Sequence, residues 1–300
     1  MADQSLRFRN SVRLVGVLSD YDLVEETRKN KNQDDYDVIR GNIVIDTGDG
    51  NTHNINVFYM AKFPNGNANG NYTVTKRILD GDINGNKNSI GMRIQLSASY
   101  EENSFVTNGE LIKTYRVGGG FLETNPTRLG SDKAEFEVDG LITKDPIPEV
   151  RDDQETGRYL VDAELANYRG ELYPVRFVIG TEGGEYLTGL DKPAVLRYWG
   201  NVVNTTVVNR VEEENAFGDP RIVEQTRTTR ENFITGAQPE PREMTEILEN
   251  YIKEGKQAYN VLIAQKEEAA KSAGGSAFNG STTTATQNTP ATPKTGEFNF

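Results

Sequence analysis

The sequence contains two copies of one strand pattern, and this internal repeat limits the possible folds more than any other feature. Residues 39–59 give two alternating apolar strands around a polar turn, and residues 159–179 do the same. The two stretches align without a gap at an offset of about 120 residues. Period-two alternation around a turn rich in Gly, Asn and Asp is typical of a β-hairpin. The chain is therefore predicted to hold two similar β modules.

Each copy opens with an alternating strand that carries a glycine at the same place, Gly16 in one and Gly140 in the other. A glycine inside a strand marks a sharp bend. Fourth and fifth strands follow the hairpin in each copy: residues 92–100 and 111–116 in the first, 195–203 and 222–227 in the second. Five strands, a bent first strand and a long connection between strands three and four predict an OB-fold barrel. Two unrelated β-sandwich domains are the alternative.

Beyond the barrels, the sequence predicts a helix and a tail. Apolar residues recur at helical spacing after residue 243, so this segment is an amphipathic helix that packs on a barrel or binds a partner. The last residues are mainly Gly, Ser, Thr, Asn and Pro, a composition typical of disorder. The predicted fold is mainly β, with two tandem five-stranded OB-like barrels. Its parts are an N-terminal arm (1–11), the first barrel (12–126), the second barrel (134–238), the helix (243–273) and a disordered tail (274–300).

Composition excludes several classes of chemistry. There is no cysteine, and His53 is the single histidine, so disulfides, thiolate metal sites and histidine-based triads cannot be assembled. We therefore expect no enzyme, no metal and no cofactor. The N-terminus does not resemble a signal peptide, and no apolar run approaches the roughly 18–20 residues of a membrane helix. A cytoplasmic protein with no membrane contact is expected, and its net charge of −12 disfavours non-specific binding to polyanions.

A barrel with outward-facing aromatic and basic side chains can bind a single nucleic-acid strand. Bases stack on the aromatic rings, and Lys and Arg contact the phosphates. If Val57 and Tyr59 face the core, alternation turns Phe58 outward. The candidate nucleic-acid-binding residues are aromatic or basic and lie on or beside predicted strands: Phe58, Lys62, Arg93, Tyr115, Arg116, Arg176, Arg197, Trp199, Arg227 and Arg230. A long loop at 204–220 carries an acidic run and Phe217, and it contacts the ligand, forms a solvated hairpin or contacts another protein.

The glycine-bent first strands, the paired strands and the aromatic-ended tail resemble bacteriophage-type single-stranded DNA-binding proteins with tandem OB-folds. The resemblance covers roughly residues 10–238 as topology. It implies non-catalytic coating of single strands in phage DNA replication or recombination, in the host cytoplasm if the protein is phage-encoded. It also implies that Phe298 and Phe300 dock replication or recombination proteins, although the acidic run that precedes the final Phe in such tails is missing here.

Two alternatives stay open at this point. The alternative to single-stranded DNA binding is a structural or assembly protein of a phage particle that does not bind nucleic acid. The terminal aromatics are equally compatible with random composition.

Overall fold

The computed structural model describes residues 7–29, 34–81, 86–107, 110–124, 130–151, 153–213, 217 and 221–273. The fold is mainly β, as predicted. The strands are β1 Asn10–Lys29, β2 Asp35–Asp46, β3 Thr52–Met60, β4 Arg93–Glu102, β5 Phe105–Thr107, β6 Glu110–Ile112, β7 Tyr115–Glu123, β8 Lys133–Ile142, β9 Ile147–Arg151, β10 Gln154–Ala166, β11 Leu172–Gly180, β12 Ala194–Glu213 and β13 Arg221–Ala237. The helices are α1 Gly70–Asp80, α2 Thr181–Thr188 and α3 Glu246–Ala273.

The first barrel is built from β1, β2, β3, β4 and β7. Its strands pair in the order β3-β2-β1-β4-β7. The two ends of this order meet where the Tyr59 hydroxyl donates to the Gly120 carbonyl at 3.3 Å. Helix α1 lies in the connection between β3 and β4, and the Asn69 side chain caps its first turn by accepting from the Asn71 backbone N–H.

The second barrel repeats this connectivity with β8, β10, β11, β12 and β13. Strand β8 pairs with both β10 and β12, and these pair in turn with β11 and β13. The barrel closes through a short parallel pairing in which Val178 lies opposite Phe233. Helix α2 again lies between the third and fourth barrel strands. Both copies thus have the five-stranded OB-like arrangement expected from the sequence.

The register of the two copies is the same at the hairpins that revealed the repeat. Ile43 lies opposite Ile55 in the first copy, and Ala163 lies opposite Val175 in the second. The glycines of the first strands sit at close approaches. A Cβ at Gly16 would lie 2.0 Å from the Asp46 carbonyl oxygen, so no side chain fits at this bend.

Pairing between β1 and β8 joins the two barrels into one continuous sheet. Val12 lies opposite Phe136, which is its counterpart in the second copy. Antiparallel pairing of equivalent residues places a local two-fold axis between the barrels. The Tyr100 ring of β4 then reaches Phe136 and Phe177 of the second barrel, with ring centroids 6.1 and 5.9 Å apart. The two cores are continuous as a result.

A buried polar network also crosses the junction between the barrels. The Tyr100 hydroxyl donates to Asn232 Oδ1 at 2.8 Å, and Asn232 Nδ2 donates to the Tyr115 hydroxyl at 2.9 Å. The Tyr173 hydroxyl donates to the Tyr100 carbonyl at 2.5 Å. Buried and mutually satisfied hydrogen bonds of this kind fix one arrangement of the groups that make them, so the barrels hold a defined relative position.

The predicted fifth strands were placed wrongly. Residues 111–112 belong to the small β5–β6 hairpin, and the fifth barrel strand is β7. In the second copy residues 222–227 lie in a two-stranded arm, in which β12 and β13 continue past the barrel, and residues 231–237 form the barrel strand. The reason is physical, because alternation is the same in a barrel strand and in a projecting ribbon.

Helix α3 is continuous and packs across the barrels, as one of the two sequence-based alternatives states. It buries Leu248, Tyr259 and Ile263. Lys266 of this helix donates to Glu102 of the first barrel at 2.6 Å. No helix in the described part of the chain is long and apolar enough to cross a membrane. The predicted tail, with Phe298 and Phe300, lies outside the described residues.

Candidate nucleic-acid interface

Phe58 lies on the outer face of the first barrel, as alternation predicted. Its ring is 48% exposed, whereas its neighbours Val57 and Tyr59 are buried. Arg40 of β2 lies directly opposite Phe58, and Val24 of β1 lies opposite Arg40. The three side chains form a row across three strands, with an exposed ring at one end and an exposed valine at the other.

Two guanidinium groups flank this ring and share one carboxylate. Arg28 lies over the Phe58 ring, with its guanidinium carbon 5.6 Å from the centroid. Glu26 accepts from Arg28 Nε and from both Nε and Nη2 of Arg40, the latter two at 2.9 and 3.2 Å. Hydrogen bonds from Arg40 and then from Arg28 lower the pKa of the Glu26 carboxyl, against the opposing effect of burial. We call Val24, Glu26, Arg28, Arg40 and Phe58 the Phe58 patch.

Sequence reasoning missed Arg28 and Arg40. Arg40 alternates with the buried Ile39, so the period-two pattern that turned Phe58 outward could have turned Arg40 outward too. Arg28 has no such signal, because residues 25–37 are almost all polar and show no apolar alternation. In the structure β1 runs on to Lys29, and β2 begins at Asp35.

The predicted residue Lys62 lies beyond the end of β3, near the Phe58 patch. Met60 follows Phe58 on the same strand face, and it lines a cavity of about 670 Å³ together with Tyr36, Lys62 and Phe63. Lys62 is exposed. Asp35 and Asp37 also line this cavity, so it carries aromatic side chains and both signs of charge.

Trp199 marks a second surface, on the outer face of the sheet that both barrels share. Its side chain is 42% exposed and lies opposite Glu137 of β8. It borders a cavity of about 410 Å³ whose charged lining residues are Arg9, Arg13, Glu135 and Glu137. Arg9 pairs with Glu137 at 3.0 Å. Both signs of charge line this surface, in contrast to a purely basic groove.

Three predicted arginines are exposed or half-exposed, and each pairs with an acidic side chain. Arg176 binds Asp162 through two hydrogen bonds at 2.7 and 3.0 Å. Arg93 lies 2.6 Å from Asp132, and Arg116 lies 3.7 Å from Glu101. Exposed ion pairs are weak, so a phosphate can compete for these guanidinium groups.

Arg197 has a structural role that the sequence did not reveal. Its Nε and Nη2 donate to the two carboxylate oxygens of Asp139 at 2.6 and 3.0 Å. Asp139 is fully buried and also accepts from the Arg9 backbone N–H at 2.9 Å. Breaking a buried pair leaves an uncompensated charge, so a phosphate would have to compete with Asp139 for this guanidinium at a high cost. The contact of Arg197 with nucleic acid stays a prediction, and the structure adds a role for its side chain inside the second barrel.

Tyr115 is likewise placed at the junction between the barrels. Its hydroxyl donates to the Arg176 carbonyl at 3.0 Å and accepts from Asn232. The Tyr115 ring packs edge-on against Tyr100, and burial raises the pKa of its hydroxyl. The side chain is mostly enclosed, so it positions β11 and offers little ring surface for stacking.

The predicted residues Arg227 and Arg230 lie on the arm formed by β12 and β13. Both are exposed, and Arg230 Nε donates to Asn204 Oδ1 at 3.2 Å. For residues 204–220 the sequence allowed a ligand-contacting loop, a solvated hairpin or a protein contact, and the structure shows a paired ribbon up to Glu213 and from Arg221. Phe217 beyond its paired part is 91% exposed. Neither arginine lines the cavity beside Trp199 or the cavity beside Met60.

The structure thus brings Phe58 together with Arg28 and Arg40, and it places Lys62 nearby. Trp199 lies on a separate face. Across the described ranges, no group of three or more His, Asp or Glu side chains could hold a metal ion.

The wild-type single-stranded DNA binding protein from Thermus aquaticus is similar at 16% identity with a TM-score of 0.46, over 80% of this chain and 97% of that chain. A deletion mutant of the same protein is similar at 15% identity with a TM-score of 0.47, over 80% of this chain and 98% of that chain. A Replication Protein A heterotrimer bound to ssDNA gives 12% identity and a TM-score of 0.18, over 82% of this chain and 53% of that chain. No curated protein matches the sequence. The YorF family model matches residues 9–270, and the chain belongs to that family.

Proposed function

We propose that this protein binds single-stranded DNA without catalysis. The observation that carries the proposal is the Phe58 patch, where a half-exposed ring on the outer face of a barrel lies beside two guanidinium groups. A base can stack on the ring while Arg28 and Arg40 contact the adjoining phosphates. The three strands that carry these groups are paired over their length, so the patch is held in place before a ligand arrives.

Trp199 offers a second stacking surface. It lies on a different face, and Arg13 and Arg9 border it. A DNA strand long enough to reach both faces would contact both barrels. We propose that its bases stack on Phe58 of the first barrel and on Trp199 of the sheet that both barrels share. Arg93, Arg116 and Arg176 then supplement the phosphate contacts after their carboxylate partners yield.

Stacking and phosphate contacts do not read base sequence, so the proposed ligand is single-stranded DNA of any sequence. Such DNA is exposed in replication and recombination, and we place the protein in these processes, in the cytoplasm of a bacterial host or of a phage-infected cell. Recruitment of other replication proteins by Phe298 and Phe300 stays a prediction.

A fluorescence titration with oligo-dT tests the proposal. We expect saturable binding that weakens with salt, because phosphate contacts release counterions. The Phe58→Ala variant should lose about 1–3 kcal/mol of binding free energy, the usual contribution of one stacked base. Phe105→Ala is the matched control, because Phe105 has a similar exposure of 49% but lies on the β5–β6 hairpin.

Two outcomes would overturn the proposal. Absence of binding at low salt would favour a structural or assembly role, for which the exposed arm of β12 and β13 is a ready contact surface. Equal losses in the Phe58 and Phe105 variants would remove the Phe58 patch as the binding surface.

A further inference from the structure

Glu26 binds the same two guanidinium groups that an anion approaching the Phe58 patch would contact. Val24, Glu26 and Arg28 alternate along β1 and share the outer face with Phe58, and Glu26 is the carboxylate of that group. Its two oxygens accept three hydrogen bonds from Arg28 and Arg40. The Glu26 side chain keeps an exposure of 26%, so solvent and solutes can reach the ion pairs.

We propose that Glu26 occupies the phosphate position of the Phe58 patch in the free protein and is displaced when a DNA phosphate binds. The proposal rests on the single-stranded DNA binding proposed above. A carboxylate and a phosphodiester present the same feature to a guanidinium group, two anionic oxygens that accept parallel N–H bonds. The pair of hydrogen bonds from Arg40 to Glu26 already has this two-point geometry.

Displacement of Glu26 lowers the affinity that the two arginines would otherwise give. Each phosphate contact must replace an existing ion pair, and the released carboxylate stays close to the bound strand. The competition also makes the DNA affinity less dependent on salt than it would be without Glu26. A guanidinium group that is neutralised before binding gives a smaller net change in ion association than a free one.

The same competition makes the patch selective for unpaired bases. Duplex DNA and other polyanions supply phosphate or sulfate groups, but they supply no free base to stack on Phe58. A ligand that only offers anionic groups must displace Glu26 without that compensation. A single strand gains the stacking contact at the same time, and it therefore displaces the carboxylate more readily.

The Glu26→Gln variant tests this proposal, with Glu25→Gln as the matched control. Glu25 directly precedes Glu26 on the same strand and points to the opposite side, where Tyr72 and Lys76 bind it at 2.5 and 2.7 Å. Both variants change the net charge equally. Binding of oligo-dT and of a blunt duplex would be measured at several salt concentrations, with circular dichroism to verify folding. Glu26→Thr serves as a second variant, because threonine suits a strand and carries no charge.

We expect Glu26→Gln and Glu26→Thr to bind oligo-dT about two- to fivefold more tightly, the range set by one exposed ion pair. The slope of log K against log salt should steepen by up to about 0.7, one phosphate equivalent on a single strand. Duplex affinity should rise by a larger factor than oligo-dT affinity, and Glu25→Gln should change each affinity by less than about 1.5-fold, because its charge is on the other face.

The result separates this inference from the proposed function. If the natural sequence binds oligo-dT but Glu26→Gln matches Glu25→Gln in affinity and salt slope, Glu26 does not compete with phosphate and the inference is wrong. If the natural sequence does not bind oligo-dT, the proposed function itself is wrong.

Discussion

Asn51 in the first barrel and Asn204 at the base of the second barrel's arm each use their side chain to bond the backbone of the segment that carries the other. The Asn204 backbone N–H donates to Asn51 Oδ1 at 2.6 Å, and Asn204 Nδ2 donates to the Thr52 carbonyl at 2.5 Å. Asn51 Nδ2 donates to the Val202 carbonyl at 3.1 Å. The turn between β2 and β3 thereby supports the point where the arm leaves the barrel.

We predict that Asn51→Ala loosens the arm without unfolding the barrels. The change removes two of these hydrogen bonds, each worth about 1 kcal/mol. Backbone amides of residues 205–207 and 226–229 should then exchange with deuterium several-fold faster in hydrogen-exchange mass spectrometry. Asn56→Ala is the control, because Asn56 bonds only within the β2–β3 hairpin in the described contacts. Unchanged exchange in the arm would show that the ribbon is held by the barrel strands alone.

Trp199 is the single tryptophan, so its fluorescence reports one surface. We predict that oligo-dT quenches this emission, because a stacked base contacts the exposed part of the indole. Trp199→Ala should lose about 1–3 kcal/mol of binding free energy, and Trp199→Phe should lose less, because a ring remains for stacking. If oligo-dT binds strongly and the Trp199 emission does not change, the DNA does not contact the shared sheet.

Arg197 and Arg116 provide a comparison between a buried and an exposed ion pair. We predict that Arg197→Ala destabilises the protein by about 3–5 kcal/mol, because Asp139 keeps a buried charge with fewer donors. Arg116→Ala should cost less than about 1 kcal/mol, since its pair with Glu101 is exposed. Urea unfolding followed by circular dichroism measures both. Equal stability of the two variants would contradict the structural role given to Arg197.

The sequence predicted the features that depend on local alternation. The hairpins at 39–59 and 159–179 have the expected common register, and Phe58 and Arg176 face outward as the period of two requires. These predictions succeeded because neighbouring residues on a strand always point to opposite faces.

The sequence could not predict which distant groups meet. Arg197 also alternates outward from β12, but its guanidinium group binds the buried Asp139 carboxylate. The same carboxylate accepts from the Arg9 backbone N–H. The same limit applies to Arg28, whose contact with Phe58 joins the end of β1 to β3. It applies again to the arm, because no local pattern separates the part of β13 that closes the barrel from the part that projects.

His53 gives the last prediction, on the pH dependence of stability. It is buried on β3, and burial lowers the pKa of its imidazole from 6.5 to about 4. The unfolded chain binds the proton between these two values, whereas the folded protein does not. Stability is therefore fully present above pH 6.5 and is lost as the pH falls toward 4.

The single histidine makes the measurement direct. Its imidazole resonances should show no titration in NMR spectra until the pH approaches 4, since His53 stays neutral in the folded state. Between pH 7 and pH 5 the free energy of unfolding should fall by about 2 kcal/mol from this residue. Replacement by a non-titrating residue, as in His53→Phe, should remove that part of the pH dependence even if the variant is less stable overall. A resonance that titrates near 6.5 would mean that solvent reaches the imidazole, and the packing described for this face of β3 would then be wrong.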